Sequence, residues 1–260
     1  MNLSSSKKFS LTDWYNKLKK SQKLFFYVFW INLLGFVLVV DGIINSLLKN
    51  GEAYLNIDKF TNQSNVLLLI FSTFYVFMPK HSFIKNDKFL IATTTYILFT
   101  FVGYNFILNF MGDGYATKTN FHLFKDIYVH FFNPVLFIIS AFVKFVLDPN
   151  PNIKKFHSFL IPGMIYPIIY AIYLASIPFV YHNQDGMPYS VYGSATNTKT
   201  NPKIAWPIII LMLSIYFPLT YFLIWFGAKK ISAKYILKNT PVSLKKKTIK
   251  FIVFKLPNNN

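Results

Sequence analysis

DKFTNQSN, Asp58 to Asn65, runs directly into VLLLIFSTFYVFM, Val66 to Met78. The second run is apolar, as a membrane-embedded helix must be, yet the first places polar side chains where that helix begins. A polar start can serve only to cap a helix. Here it has a counterpart. KDIYVHFFNPVLFI, Lys125 to Ile138, opens a second apolar run and carries His130 at nearly the same point. Thr61 and His130 thus place a hydroxyl and an imidazole at matched depth in two parallel helices, a pair able to do chemistry.

The surrounding chain has the composition of a membrane protein. Its 260 residues are 53% hydrophobic and 20% aromatic, and 14% are charged, against about 25% in soluble domains. Several runs reach the roughly 20 apolar residues that cross a bilayer. The fold class read from this is all-α: a polytopic six-helix transmembrane bundle. The net charge is +18. A basic chain can mean nucleic acid, but topology accounts for this charge and no nucleic-acid partner is expected. All 27 basic residues are lysine, so bidentate guanidinium recognition of phosphate is absent. Lysine and asparagine richness without arginine resembles the product of an AT-rich bacterial genome. There is no cysteine, which excludes disulfides, thiol nucleophiles and thiolate metal sites.

Six spans are predicted: Leu24–Leu48, Phe60–Met78, Phe89–Phe110, Asp126–Leu147, Phe159–Val180 and Ile204–Gly227. They form a transmembrane domain, 24–227, between basic tails at 1–23 and 228–260. The first span is too long for a signal-peptide core and should stay as an anchor. DPNPN, Asp148–Asn152, cannot continue a helix and should end the fourth span. Pro162, Pro167 and Pro178 mark kinks in the fifth. TIKFIVF, Thr248–Phe254, is too short to span and is expected on the interface or in a strand. No internal repeat supports an inverted-repeat transporter.

Lysine placement gives the orientation. The two tails and the two loops assigned inside hold 20 lysines, and the other three loops hold 6. Both termini are therefore expected in the cytoplasm of a multi-pass cell-membrane protein, with the tails resting on anionic headgroups. Lys144, near the end of the fourth span, should snorkel.

In that orientation Thr61 and His130 lie at the outer ends of inward-running helices, about 3 Å apart in depth. Asp41, Asn105 and Asn109 fall at the same side. Polar groups inside a membrane usually face the bundle interior or a water-filled cavity, so one cavity open to the outer leaflet is expected. Thr61, Ser64 and Asn65 share a helix face, as do Asp126, His130, Asn133 and Pro134. Pro134 has no N–H, so the His130 carbonyl loses its helical partner. Asp126, one turn earlier, is placed to orient the imidazole. Plainer roles stand beside these. Thr61 can cap, Asn and Ser can hold helices together, and Asp41 can pair with a neighbouring helix. His122 and His182 fit no metal motif, and no cofactor or metal is expected.

FTNQSN before an apolar span, with His130 four residues before Pro134 in a later one, resembles the six-span FAR-17a/AIG1-like membrane proteins and their bacterial Pr6Pr relatives. Characterised animal members are threonine hydrolases that cleave fatty acid esters of hydroxy fatty acids with an essential Thr and His. The resemblance implies Thr61 and His130 as that pair. His130 as general base would take the Thr61 proton while the hydroxyl attacks an ester carbonyl of a membrane lipid substrate. Asn65, Asn133 or Ser64 would donate to the oxyanion, Asn105 and Asp41 would line the cavity, and the 23-residue loop Tyr181–Lys203 is long enough to cover it. The rival class is a non-enzymatic membrane protein, a small-solute carrier or a complex subunit. The sequence leaves the lipid and the oligomeric state open.

Overall fold

Each predicted span is a helix in the computed structural model, which describes residues 10–50, 54–108, 120–153 and 155–240. A short α1 (Leu11–Lys17) leads into α2 (Lys20–Asn50). The single turn α3 (Tyr54–Ile57) precedes α4 (Phe60–Phe77). α5 (Lys88–Val102) continues as a π-turn, Gly103–Leu108. α6 (Asn120–Ile127) passes through a second π-turn, Tyr128–Phe132, into α7 (Asn133–Leu147). α8 (His157–Val180) stands alone. α9 (Pro202–Leu211) passes through a third π-turn, Met212–Tyr216, into α10 (Phe217–Asn239). Among the described residues there is no strand, only an isolated bridge between His182 and Pro188.

Among the described residues, five helical stretches are long and apolar enough to cross a membrane: Lys20–Lys49, Lys88–Phe106, Asn120–Leu147, His157–Val180 and Pro202–Asn239. The architecture is an all-α, membrane-like bundle. α4 has 18 residues, about 27 Å, and its FTNQSN start dilutes its apolarity. The helices run past some expected limits. α1 lies inside the amino tail, and the last helix continues beyond Gly227 to Asn239. Asn109 and Thr248–Phe254 lie outside the described residues.

α4 sits against α2 and α5, and α5 against α7 and α10. The core between them is aromatic. Phe25 meets Phe71, Tyr75 and Phe137 edge-on at ring distances of 5.3, 5.1 and 5.9 Å, the arrangement that ring quadrupoles favour. α8 turns Ile161, Ile165, Ile169 and Ile172 outward. An exposed apolar face of that extent suits contact with lipid.

Proline explains two of the three π-turns among the described residues. Pro134 and Pro218 are each the second residue of the helix that follows a π-turn. Each lacks an N–H, and its ring crowds the carbonyl four residues back. The amide just before each proline instead reaches five residues back, Asn133 to Tyr128 and Phe217 to Met212. α8 keeps its three prolines within one continuous helix.

α7 ends at Leu147, before DPNPN, as expected. Lys144 does not snorkel. Its Nζ is buried and lies 2.7 Å from both oxygens of Asp87, and Asn150 Nδ2 donates to Asp87 Oδ2 at 2.8 Å. A matched carboxylate under the bundle end removes the reason to reach for water.

Candidate functional site

Asn65 and Asn133 fix the register between α4 and α7. Asn133 Nδ2 donates to Asn65 Oδ1 at 2.7 Å, and both side chains are fully buried. Gly35 of α2 makes room for this pair, since a Cβ there would stand 2.8 Å from Asn133 Nδ2. Asn65 Nδ2 donates to the carbonyls of Thr61 at 2.9 Å and Val129 at 3.1 Å. About one turn N-terminal to the pair, α4 carries Thr61 and the facing π-turn carries His130.

Main-chain oxygens freed by Pro134 are taken up by these side chains. Val129 and His130 are the carbonyls that would have used the missing proline N–H at five- and four-residue spacing. Asn65 donates to the first, and Asn105 Nδ2 donates to the second at 2.9 Å. Asn105 belongs to the π-turn Gly103–Leu108, so two irregular turns meet at His130. π-turns inside helices are frequent at functional sites.

The imidazole is stacked on one side and faces a carboxylate on another. Tyr104 stacks on it with ring centres 3.6 Å apart and planes 8° from parallel. His130 Nε2 stands 4.0 Å from Asp126 Oδ1, and Tyr104 donates its hydroxyl to Asp126 Oδ2 at 3.0 Å. A carboxylate, an imidazole and a tyrosine thus lie together, with Tyr104 bonded to the carboxylate and stacked on the ring. Tyr104 was not legible as the third member.

Thr61 is buried at the second position of α4 and is not the helix cap. Lys59 holds the cap position without a side-chain bond. The first amide, Phe60 N–H, is met instead by the hydroxyls of Tyr170 and Tyr192, each at 3.0 Å. Ser64 Oγ donates to the Thr61 carbonyl at 2.9 Å and shares a 2.8 Å bond with Thr100. The two Asn65 amide protons are spent on main-chain carbonyls, and Ser64 is engaged with Thr61 and Thr100. Neither is free to act as an oxyanion donor. Asn133 keeps one amide proton.

Asp41 stands apart from this cluster. It pairs with Lys125 at 3.2 Å and accepts from Asn45 at 2.9 Å. Nor do Thr61 and His130 line the large groove of about 710 Å³, whose wall takes Asn62, Gln63, Val66 and Leu67 from α4. Those residues form the face opposite Thr61, Ser64 and Asn65. The expected single cavity is therefore divided: a buried polar cluster on one side of α4 and an apolar groove on the other.

Over 251 residues the chain is 39% identical to the uncharacterized protein MG452 of Mycoplasma genitalium, an alignment that covers 95% of this chain and 96% of that protein. The chain belongs to the MG452 family. The MG452 homolog of Mycoplasma pneumoniae is 41% identical over 220 residues, 83% of this chain and 88% of its own length. A further uncharacterized protein of Mycoplasma genitalium, MG133, is 28% identical over 243 residues, 74% of this chain and 90% of its own length. Residues 123–234 also match a family described as protein of unknown function, DUF1600. That segment takes in Asp126, His130, Asn133 and both prolines that set π-turns, and leaves out Thr61. No solved structure matches.

In this MG452 family member a second polar centre ties the loop after α8 to the start of α4. Tyr189 and Tyr173 donate to Asp58 Oδ2 at 2.7 and 2.9 Å, and Tyr170 donates to the Asp58 carbonyl at 2.9 Å. Burial pushes the Asp58 carboxyl above the ordinary carboxylate value, while the Tyr189 and Tyr173 hydroxyls oppose the shift. The loop after α8 is fastened through Tyr189 and Tyr192 to the residues that open α4. The sequence offers DKF and scattered tyrosines, with no spacing that joins them.

Proposed function

We propose that the chain is a six-span integral protein of the cell membrane, with both termini cytoplasmic and α4 crossing in addition to the five longer stretches, that hydrolyses lipid esters with Thr61 and His130. The observation that carries this reading is the cluster of Asp126 at the end of α6 with His130 and Tyr104 on two adjoining π-turns, one turn from the Asn65–Asn133 bond, the level of Thr61. In the reaction His130 accepts the Thr61 proton as the hydroxyl oxygen bonds to the ester carbonyl carbon. The remaining Asn133 N–H is the donor available to the oxyanion. Collapse breaks the ester C–O bond, the leaving alkoxide takes the proton from His130, and water then releases the acyl group from Thr61. The resemblance to threonine hydrolases of fatty acid esters of hydroxy fatty acids supports the substrate class.

A second reading, a non-enzymatic lipid or solute carrier, draws support from the groove lying on the other face of α4. An acylating probe such as a fluorophosphonate separates the two. A hydrolase is labelled, and Thr61→Ala abolishes the label at unchanged folding. A carrier is labelled equally with and without the hydroxyl, or not at all.

A further inference from the structure

The groove of about 710 Å³ falls within the roughly 300–1,000 Å³ typical of small-ligand sites. Its floor is apolar, built from Val66, Leu67, Ala92, Phe159 and Pro162 of α4, α5 and α8. The two ends differ in a way that selects an occupant. At one end Asn62 and Gln63 are already committed. Asn62 donates to the Asn56 carbonyl at 2.6 Å, and Gln63 donates to the Ile57 carbonyl at 3.0 Å and accepts from Tyr166 at 2.6 Å. At the other end stand Ser82 and Lys88. Lys88 is exposed and has no ion-pair partner among the described residues. The neighbouring carboxylate, Asp87, is claimed by Lys144 and Asn150.

An occupant must therefore be apolar along most of its length and anionic at one end. A free anion gains nothing from the floor. A peptide would leave backbone groups unpaired along an apolar wall. Lysine is a point-charge partner for phosphate, and Lys88 is the first residue of the 15-residue α5, where the helix dipole also favours negative charge. We propose that the groove holds an anionic phospholipid of the leaflet on the Lys88 side, its phosphate on the Lys88 ammonium and an acyl chain along the floor toward Gln63. Lysine asymmetry makes this the cytoplasmic leaflet. The site is independent of ester hydrolysis, because it occupies the opposite face of α4 from Thr61.

Native mass spectrometry of the full chain, released from mixed micelles holding phosphatidylglycerol and phosphatidylcholine of the same acyl length, tests this. Wild type should retain phosphatidylglycerol over phosphatidylcholine by about fivefold, the effect of one lysine at an anionic headgroup. Lys88→Gln should reduce the ratio to near one, and Lys88→Arg should keep it. Val66→Trp, which fills the floor, should lower retention of both lipids. Lys88 is exposed, so its variants read binding without a change in folding. No preference in wild type, an undiminished preference in Lys88→Gln, or full lipid retention by folded Val66→Trp would each overturn the proposal.

Discussion

Asn105 Nδ2 donates to the main-chain oxygen of His130 across 2.9 Å, and that oxygen lacks a normal helical partner because residue 134 is proline. The contact joins the π-turn after α5 to the π-turn before α7. Removing the donor leaves a carbonyl unsatisfied, at a cost of about 1–3 kcal/mol. Asn105→Ala should therefore lower thermal stability in detergent by that amount. Acyl-probe labelling should fall with it, since His130 loses a restraint on its backbone. An Asn105→Ala variant as stable as wild type would mean that water or another side chain supplies the bond.

Buried charge gives a larger effect at the other end of the bundle. Lys144 and Asp87 are both buried and 2.7 Å apart. Breaking such a pair from one side strands the other charge and costs about 3–5 kcal/mol. Lys144→Met and Asp87→Asn should each destabilise strongly. The double substitution should recover part of the loss, because no bare charge remains. Thermal unfolding of the four proteins measures this directly.

Much of this architecture is legible in the sequence. α4 was expected at Phe60–Met78 and runs Phe60–Phe77, and α8 was expected at Phe159–Val180 and runs His157–Val180. Apolar run length and proline are local signals, so they survive without tertiary knowledge. The freed His130 carbonyl was legible for the same reason. The hydrogen bond it accepts from Asn105, the one the Val129 carbonyl accepts from Asn65, and the Tyr104 stack depend on how helices pack. Asp58 meets Tyr189 across 131 positions, and Lys144 meets Asp87 across 57. No period or motif relates residues so far apart. Lys144 looked like a snorkelling lysine because its carboxylate comes from a short loop. Asp87 adopts a left-handed backbone there, φ 55°.

Asp58 predicts a pH dependence. Its folded carboxyl titrates above the ordinary value of 3.8 because burial disfavours the charge. The folded state then binds the proton more tightly than the unfolded state. This contribution to stability is fully present below pH 3.8 and is lost as pH rises through the raised folded value. Asp58→Asn keeps an acceptor for the tyrosines and cannot ionise. Its melting temperature should match wild type at pH 3.8 and exceed it at pH 7. Parallel pH profiles for the two proteins would show that the carboxylate is stabilised by something other than the Tyr173 and Tyr189 hydroxyls.

If Thr61 and His130 act as one unit, their loss is not additive. Thr61→Ala, His130→Ala and the double substitution should leave similar residual rates on a fatty acid ester of a hydroxy fatty acid. Thr61→Ser retains a hydroxyl and should keep measurable hydrolysis. Rates equal to wild type in well-folded Thr61→Ala would leave the hydroxyl without a chemical role and favour the carrier reading.

Pro134 separates packing from function more sharply. An alanine there restores one backbone N–H and removes the ring that crowds the His130 carbonyl. The second π-turn can then close as ordinary α-helix. Proline in a helix interior is disfavoured by about 3 kcal/mol relative to alanine, so Pro134→Ala should hold or raise thermal stability. Closing the turn redistributes about one residue of winding, near 100° at 3.6 residues per turn. His130 would then rotate away from Asp126 and Tyr104, and the Asn105 bond would compete with a restored helical one. Labelling and hydrolysis should both fall while the protein stays folded. A variant that is stable and fully active would show that the π-turn is only an accommodation to proline. A variant that is stable and inactive would tie the irregular backbone to the positioning of the imidazole.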